Sequence, residues 1–346
     1  MSYNFSTVCD WSLLCLSGLY LALDSGYERA RTMRPCGRPS THQIDRIKGM
    51  LWCAGVELAS GLPHPTAIER RVSPERFKPR QTGSGGYIYP GYFNKIKNGT
   101  KVPSGIYVEK VDRIFPGTSY WYYHPFWQVA KYPLYGRQSI FSALRKLESD
   151  AARSLILPPQ HIRNTGSESE RKAYLESIFD QLEQDGSWDA LTAIIGFSKF
   201  QPDPTDEMKQ FFADLILRIF STMSAERPFY DVLEELYDYL FSCFIDTFHL
   251  NEAEAADEQE IFFLRVNLNR IRLVHIEELG LLPHHKAAPA SCLHIAAKHL
   301  SMETLASLSK YDASRDRTKI MHIPAIRDLA ESLCKWEADV LKQQRA

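Results

Sequence analysis

The chain has 346 residues, of which 44% are hydrophobic and 12% aromatic. This excludes a disordered or low-complexity protein and leaves room for two domains, each with its own core. Its net charge of −1 hides a split: residues 1–140 carry 18 Lys and Arg against 9 Asp and Glu, and residues 141–346 carry 23 against 33. A front part at +9 suits an anionic partner, whereas a back part at −10 repels one.

The seven cysteines are scattered and odd in number, with no C-x-x-C pair. Free thiols in a reducing compartment are expected, and hence a cytoplasmic protein. An apolar stretch over residues 11–23 follows Asp10 rather than basic residues and is too short to span a bilayer. It is read as a buried N-terminal helix, with no targeting signal and no membrane partner.

A helix is predicted over residues 41–59, with Ile44, Ile47, Leu51 and Leu58 inward. Pro63, Pro65, Pro74, Pro79 and the run Gly83-Ser84-Gly85-Gly86 then predict turns over 61–90 and at most one short helix, capped by Ser73-Pro74-Glu75. Within 90–117, a short helix over 92–98 places Phe93 and Ile96 inward, and Gly99 fits the left-handed position that ends it. Pro103-Ser104 opens a second helix with Ile106, Val108, Val111 and Ile114 inward, stopped by Pro116-Gly117.

The run from Phe93 to Gly99, followed after three residues by Pro103-Ser104 and an apolar helix, resembles the second half of a phage-repressor-type helix-turn-helix domain. That resemblance implies a helix laid in the major groove of DNA. It puts Tyr92 and Asn94 nearest base edges, with Lys95, Lys97 and Lys101 on phosphates. The match spans about 28 residues, and upstream the sequence departs from the family: Pro79, the glycine run and Pro90 stand where the first helix of the pair should be. The aromatic segment 119–127 is expected to be core, although rings beside a basic segment can also stack on bases.

Beyond a break near 155–169, apolar residues recur at helical spacing. A capping box at Ser167 and Glu170 starts one helix, Ser187 caps a second over 188–200, and Thr205 opens a third. Pro228 starts a long helix to about residue 250, with Leu233, Leu236, Tyr237, Leu240, Phe241, Phe244 and Phe248 on one face and Asp231, Glu234, Glu235 and Asp238 outside. After the acidic stretch 251–260, helices follow over 261–279, 289–300, 301–311 and 323–343.

Local chemistry is sparse. His275, His284, His285, Cys292, His294 and His299 lack zinc-motif spacing, so no metal is assigned. No P-loop and no G-x-S-x-G elbow is present, and no catalytic residue or cofactor is assigned. The expected protein is mainly α. A basic region, 1–155, carries the helix-turn-helix-like element and binds DNA as a regulator of transcription. An acidic all-helical bundle or array, 167–346, serves a protein partner or homo-oligomer. Two alternatives stand beside this reading: an interaction subunit without nucleic-acid binding, and an enzyme whose site is dispersed.

Overall fold

The structure is a computed structural model that describes residues 43–62, 64–79, 87–88, 91–131, 137–164, 167–200, 205–241, 252–281, 289–301, 304–305, 308 and 323–343. Among these the fold is all-helical except for one antiparallel pairing of two-residue strands. In it β1 (Lys78–Pro79) meets β2 (Tyr87–Ile88) in the register Lys78 to Ile88 and Pro79 to Tyr87. No described helix is long and apolar enough to cross a membrane. The expected helix over 11–23 and the glycine run 83–86 lie outside the described residues.

The chain forms two compact units. The first contains described residues 43–146 and 226–241. Its centre is α1 (Gln43–Ser60), where Ile44, Ile47, Leu51, Trp52, Cys53 and Val56 are buried. Around it stand α2 (Pro65–Val72), α3 (Tyr92–Lys97), α4 (Gly105–Asp112), α5 (Ser119–Tyr123), α6 (Phe126–Ala130) and α7 (Arg137–Leu144). Two glycines allow close approach to α1. A Cβ on Gly55 would lie 2.3 Å from Trp121 Cδ1, and one on Gly49 would lie 3.1 Å from Pro103 Cδ.

Several local expectations are corrected here. Leu58, expected inward, is 49% exposed, because Trp52, Cys53 and Val56 define the buried side of α1. The helix in the proline-rich stretch is α2, ahead of the expected position. Ser73-Pro74-Glu75 instead enters a 3-10 turn (Pro74–Arg76) with no side-chain cap, and the Ser73 hydroxyl accepts from Lys110 Nζ at 3.0 Å. Ile106 is 83% exposed rather than inward, because Tyr107, Val108 and Val111 occupy the inner face of α4. Tyr107 supplies the apolar bulk that a search for aliphatic residues overlooks.

Residues 226–241 belong to this unit although they lie far along the chain in its acidic part. After Pro228 the described part of the expected helix opens as a 3-10 turn (Phe229–Val232) and continues as α13 (Leu233–Leu240). Residues 242–250, with Phe244 and Phe248, are outside the described residues. Phe229 meets Trp121 edge-on at 5.6 Å, and the Tyr239 hydroxyl donates to the Ala130 carbonyl at 3.0 Å. Asp231, Glu234, Glu235 and Asp238 are exposed, as expected. The charge split along the chain is therefore not the division of the fold. Residues 43–146 carry 16 basic against 6 acidic side chains, and 226–241 return one against five.

The second unit contains described residues 147–225 and 252–343. It comprises α8 (Asp150–Ile156), α9 (Gln160–Asn164), α10 (Glu168–Asp185), α11 (Trp188–Phe200), α12 (Asp206–Met223), α14 (Glu252–Glu278), α15 (Pro289–His299) and α16 (Pro324–Gln343). The Ser167–Glu170 capping box forms with both reciprocal bonds, and the Ser187 and Thr205 hydroxyls accept from Ala190 and Met208 amides at 3.1 and 3.4 Å. The helix expected over 261–279 begins at Glu252. The Ala- and Glu-rich stretch before it is itself a strong helix former, with acids at the favourable end of the dipole. Of the expected helix 301–311, only Ser301, Thr304, Leu305 and Leu308 are described.

Phe179, Phe197, Phe211 and Phe212 form one aromatic cluster with centroid separations of 5.3 to 6.2 Å. Cys292, Ala296, Leu300, Ile326 and Leu329 form another core with Ile276 and Leu279. Asp189 is buried and accepts the Glu148 and Ser149 amides at 2.5 and 2.8 Å, tying the start of α8 to α11.

Candidate nucleic-acid interface

The short helix expected over 92–98 forms as α3, and a neighbouring helix holds its frame. Phe93 and Ile96 are fully buried, and Phe93 lies 5.5 Å from Trp52 of α1. Gly91, before α3, has φ +56 and offers no side chain to satisfy the first-turn amides. Glu69 of α2 supplies that cap. Its carboxylate, in a residue only 1% exposed, accepts from the Tyr92 amide at 3.1 Å and the Phe93 amide at 3.4 Å. The negative charge also faces the positive end of the helix. Two helices separated by residues 73–91 are thereby joined as a pair.

The end of α3 is built as its sequence predicts. Gly99 has φ +64, and the Lys95 carbonyl accepts from the Thr100 and Lys101 amides and from the Thr100 hydroxyl. A Cβ at Gly99 would lie 2.9 Å from Met50 Sδ. The Ser104 hydroxyl accepts from the Tyr107 amide at 3.3 Å and starts α4.

The five residues singled out in the sequence have different fates. Lys95 and Lys101 are exposed, and among the described residues neither has an ion-pair partner. Asn94 is half-buried. Tyr92 is half-buried too: its ring stands edge-on to Tyr107 at 4.7 Å, with Lys101 Nζ 4.4 Å from its centroid and Arg76 5.7 Å away. Burial raises the pKa of the Tyr92 phenol, and burial with the nearby Glu69 charge raises that of Tyr107. Lys97 is exposed but committed. It grips Glu57 of α1 with 2.8 and 2.9 Å contacts, and that carboxylate is only 9% exposed and also lies 3.7 Å from Arg227.

Tyr92 and Lys101 therefore come together with Arg76, while Lys97 is turned to an internal partner. Sequence reasoning missed Glu69, Glu57 and Arg76. Glu69 had a signal: it is an acid beside Ile68 and Val72, on the inward stripe of a short amphipathic helix. Glu57 and Arg76 had none, because their partners are distant in the chain.

The aromatic segment is only partly core. Phe126 and Trp127 are buried, and Trp121 and Tyr122 are half-buried against the cluster around Trp52, Phe93 and Tyr107, but Tyr120 and Tyr123 are 46% and 52% exposed. Lys48 Nζ lies 3.9 Å from the Tyr122 ring centroid, beside the Lys131–Asp45 ion pair. Burial and Lys131, opposed by Asp45, pull the Lys48 ammonium down to about 8. Cys53 is buried, and burial with Glu57 pushes its thiol up, so it is inert as a nucleophile. In the other unit, His275 lies 3.5 Å from Glu278, His299 shares a hydrogen bond with Ser332, and Cys292 is buried. His284 and His285 are outside the described residues.

No model of a protein family, no curated protein and no solved structure matches this chain.

Proposed function

We propose that the basic unit binds double-stranded DNA through α3 and the turn that follows it, and that the protein acts in the cytoplasm as a regulator of transcription. The acidic helical unit provides partner contact. The observation that carries this reading is the division of α3 and its turn: Phe93 and Ile96 are fully buried, while Lys95 and Lys101 remain exposed around the half-buried Tyr92, with Arg76 beside it. A cationic edge around an aromatic ring suits a phosphate backbone. Six residues of helix rise only about 9 Å, so α3 reaches one or two base edges and phosphate contacts dominate. On this reading Tyr92 and Asn94 touch a base, and Asn is suited to adenine.

Fluorescence anisotropy with a labelled duplex at two salt concentrations tests this. Lys95→Ala and Lys101→Ala should each weaken binding to all sequences and reduce the salt slope by about one unit. Asn94→Ala should relax preference at one base position by about 1–3 kcal/mol. Lys97→Ala should change the slope less, because its charge already faces Glu57. Gly99→Val, which strains a left-handed backbone, is the control for loss of the element itself. Binding that is absent, or unaffected by Lys95→Ala and Lys101→Ala, would refute the reading.

A further inference from the structure

The longest helix of the acidic unit has two apolar faces, and its own core uses one. On α14, Phe262, Val266 and Ile276 are buried, and Phe262 stacks on Phe220 at 5.1 Å. On the opposite side Ile261, Leu264, Ile271 and Val274 are 40%, 53%, 46% and 44% exposed, and Leu268 between them is half-buried, with one flank against the Ile276–Leu329 core. Ile261, Leu264, Leu268 and Ile271 are spaced three, four and three apart, the a and d spacing of a helix-to-helix seam.

The charges beside this seam are sorted by side. Glu260 and Asn267 take the g positions, and Arg265 and Arg272 take the e positions. A parallel pair in register sets each g residue against e of the next heptad in the partner, so Glu260 meets Arg265 across the two-fold axis, twice. An antiparallel pair would set e against e and g against g, arginine facing arginine. Glu260 and Arg265 are both exposed, and among the described residues neither has an ion-pair partner. Arg272 is partly committed to its own chain, donating to the Leu300 carbonyl and to Asn269. The other side of α14, with Phe262 and Val266, is packed in the unit's own core.

We infer that the exposed stripe of α14 is the interface for a second copy of this chain, joined as a parallel two-helix pair with reciprocal Glu260–Arg265 contacts. This rests on the reading of the acidic unit as a partner-contact module and is independent of DNA binding. A seam of two heptads falls at the small end of protein interfaces, so dissociation is expected at about micromolar concentration.

Sedimentation velocity of the full chain without nucleic acid, over about 1–100 µM, tests the proposal. The parent should shift from monomer to dimer across that range. Leu264→Glu combined with Ile271→Glu should remain monomeric throughout, with unchanged helicity by circular dichroism because both sites are exposed. Glu260→Arg and Arg265→Glu should each weaken the dimer at least severalfold by placing like charges together. The double variant Glu260→Arg, Arg265→Glu should restore it. A parent that stays monomeric would overturn the proposal, as would a dimer indifferent to Leu264→Glu with Ile271→Glu. Failure of the double charge swap to rescue its singles would overturn the parallel register, even if the leucine variant failed to fold. DNA titrations of the same preparations report on the other unit, so the two readings fail separately.

Discussion

Removing the Glu69 carboxylate should loosen α3 while leaving the rest of the protein folded. In Glu69→Ala the Tyr92 and Phe93 amides lose their acceptor, and the Phe93 amide is buried. Loss of an N-cap costs about 0.5–2 kcal/mol, and an unsatisfied buried donor about 1–3 kcal/mol. These figures describe the same bonds, so they are not added. The Phe93 contact, at 3.4 Å, is the weaker of the two. A local cost of about 2–3 kcal/mol follows, with truncation of a buried side chain contributing to the upper end. At 1.4 kcal/mol per tenfold, amides of residues 92–101 should exchange about 30- to 140-fold faster. Glu69→Gln keeps one acceptor oxygen and loses the charge facing the helix dipole. It should cost about 1 kcal/mol, or about fivefold in exchange. Hydrogen–deuterium exchange read by mass spectrometry gives both numbers, with peptides from Trp188–Phe200 in the other unit as the internal control. Unchanged exchange over 92–101 in Glu69→Ala would show that the carboxylate does not hold α3. Equal effects of Ala and Gln would remove the role of hydrogen bonding.

Gly55→Ala should lower the thermal midpoint, since its Cβ would meet Trp121 Cδ1 at 2.3 Å and Cγ at 2.7 Å and force the ring root to move. Overpacking of this kind costs about 1–3 kcal/mol, and an unchanged midpoint with unchanged near-ultraviolet dichroism would contradict the packing. Burial raises the Glu226 carboxyl from 4.5 to about 7, so the fold favours its neutral form. The contribution of this group is complete below about pH 4.5 and is lost as pH rises through about 7, and Glu226→Gln should be more stable than the parent near pH 8 but not near pH 4. Parallel melting curves for the two proteins at both pH values would exclude that linkage.

Helix ends were the most legible part of this protein. Ser104, Ser167 with Glu170, Ser187 and Thr205 start helices through hydroxyls bonded three residues ahead, and Gly99 has the positive φ that ends its helix. These interactions span only a few residues, so the local sequence contains both partners. The helical class and the inward pair Phe93 and Ile96 followed from periodicity for the same reason. Tertiary structure decided which core each amphipathic stripe would join. Residues 226–241 have a clear apolar face, but nothing local says that it packs with the basic unit. Tertiary structure also exposed Leu58 and Ile106, because Trp52 and Tyr107 had taken the inner positions. In the candidate interface, the glycine turn and the exposed lysines were readable from adjacent residues. The Glu69 cap reaches 23 residues along the chain, and the Lys97–Glu57 pair reaches 40. Such contacts depend on how helices meet in space, and a carboxylate or an ammonium in a sequence does not carry the identity of the group it will face.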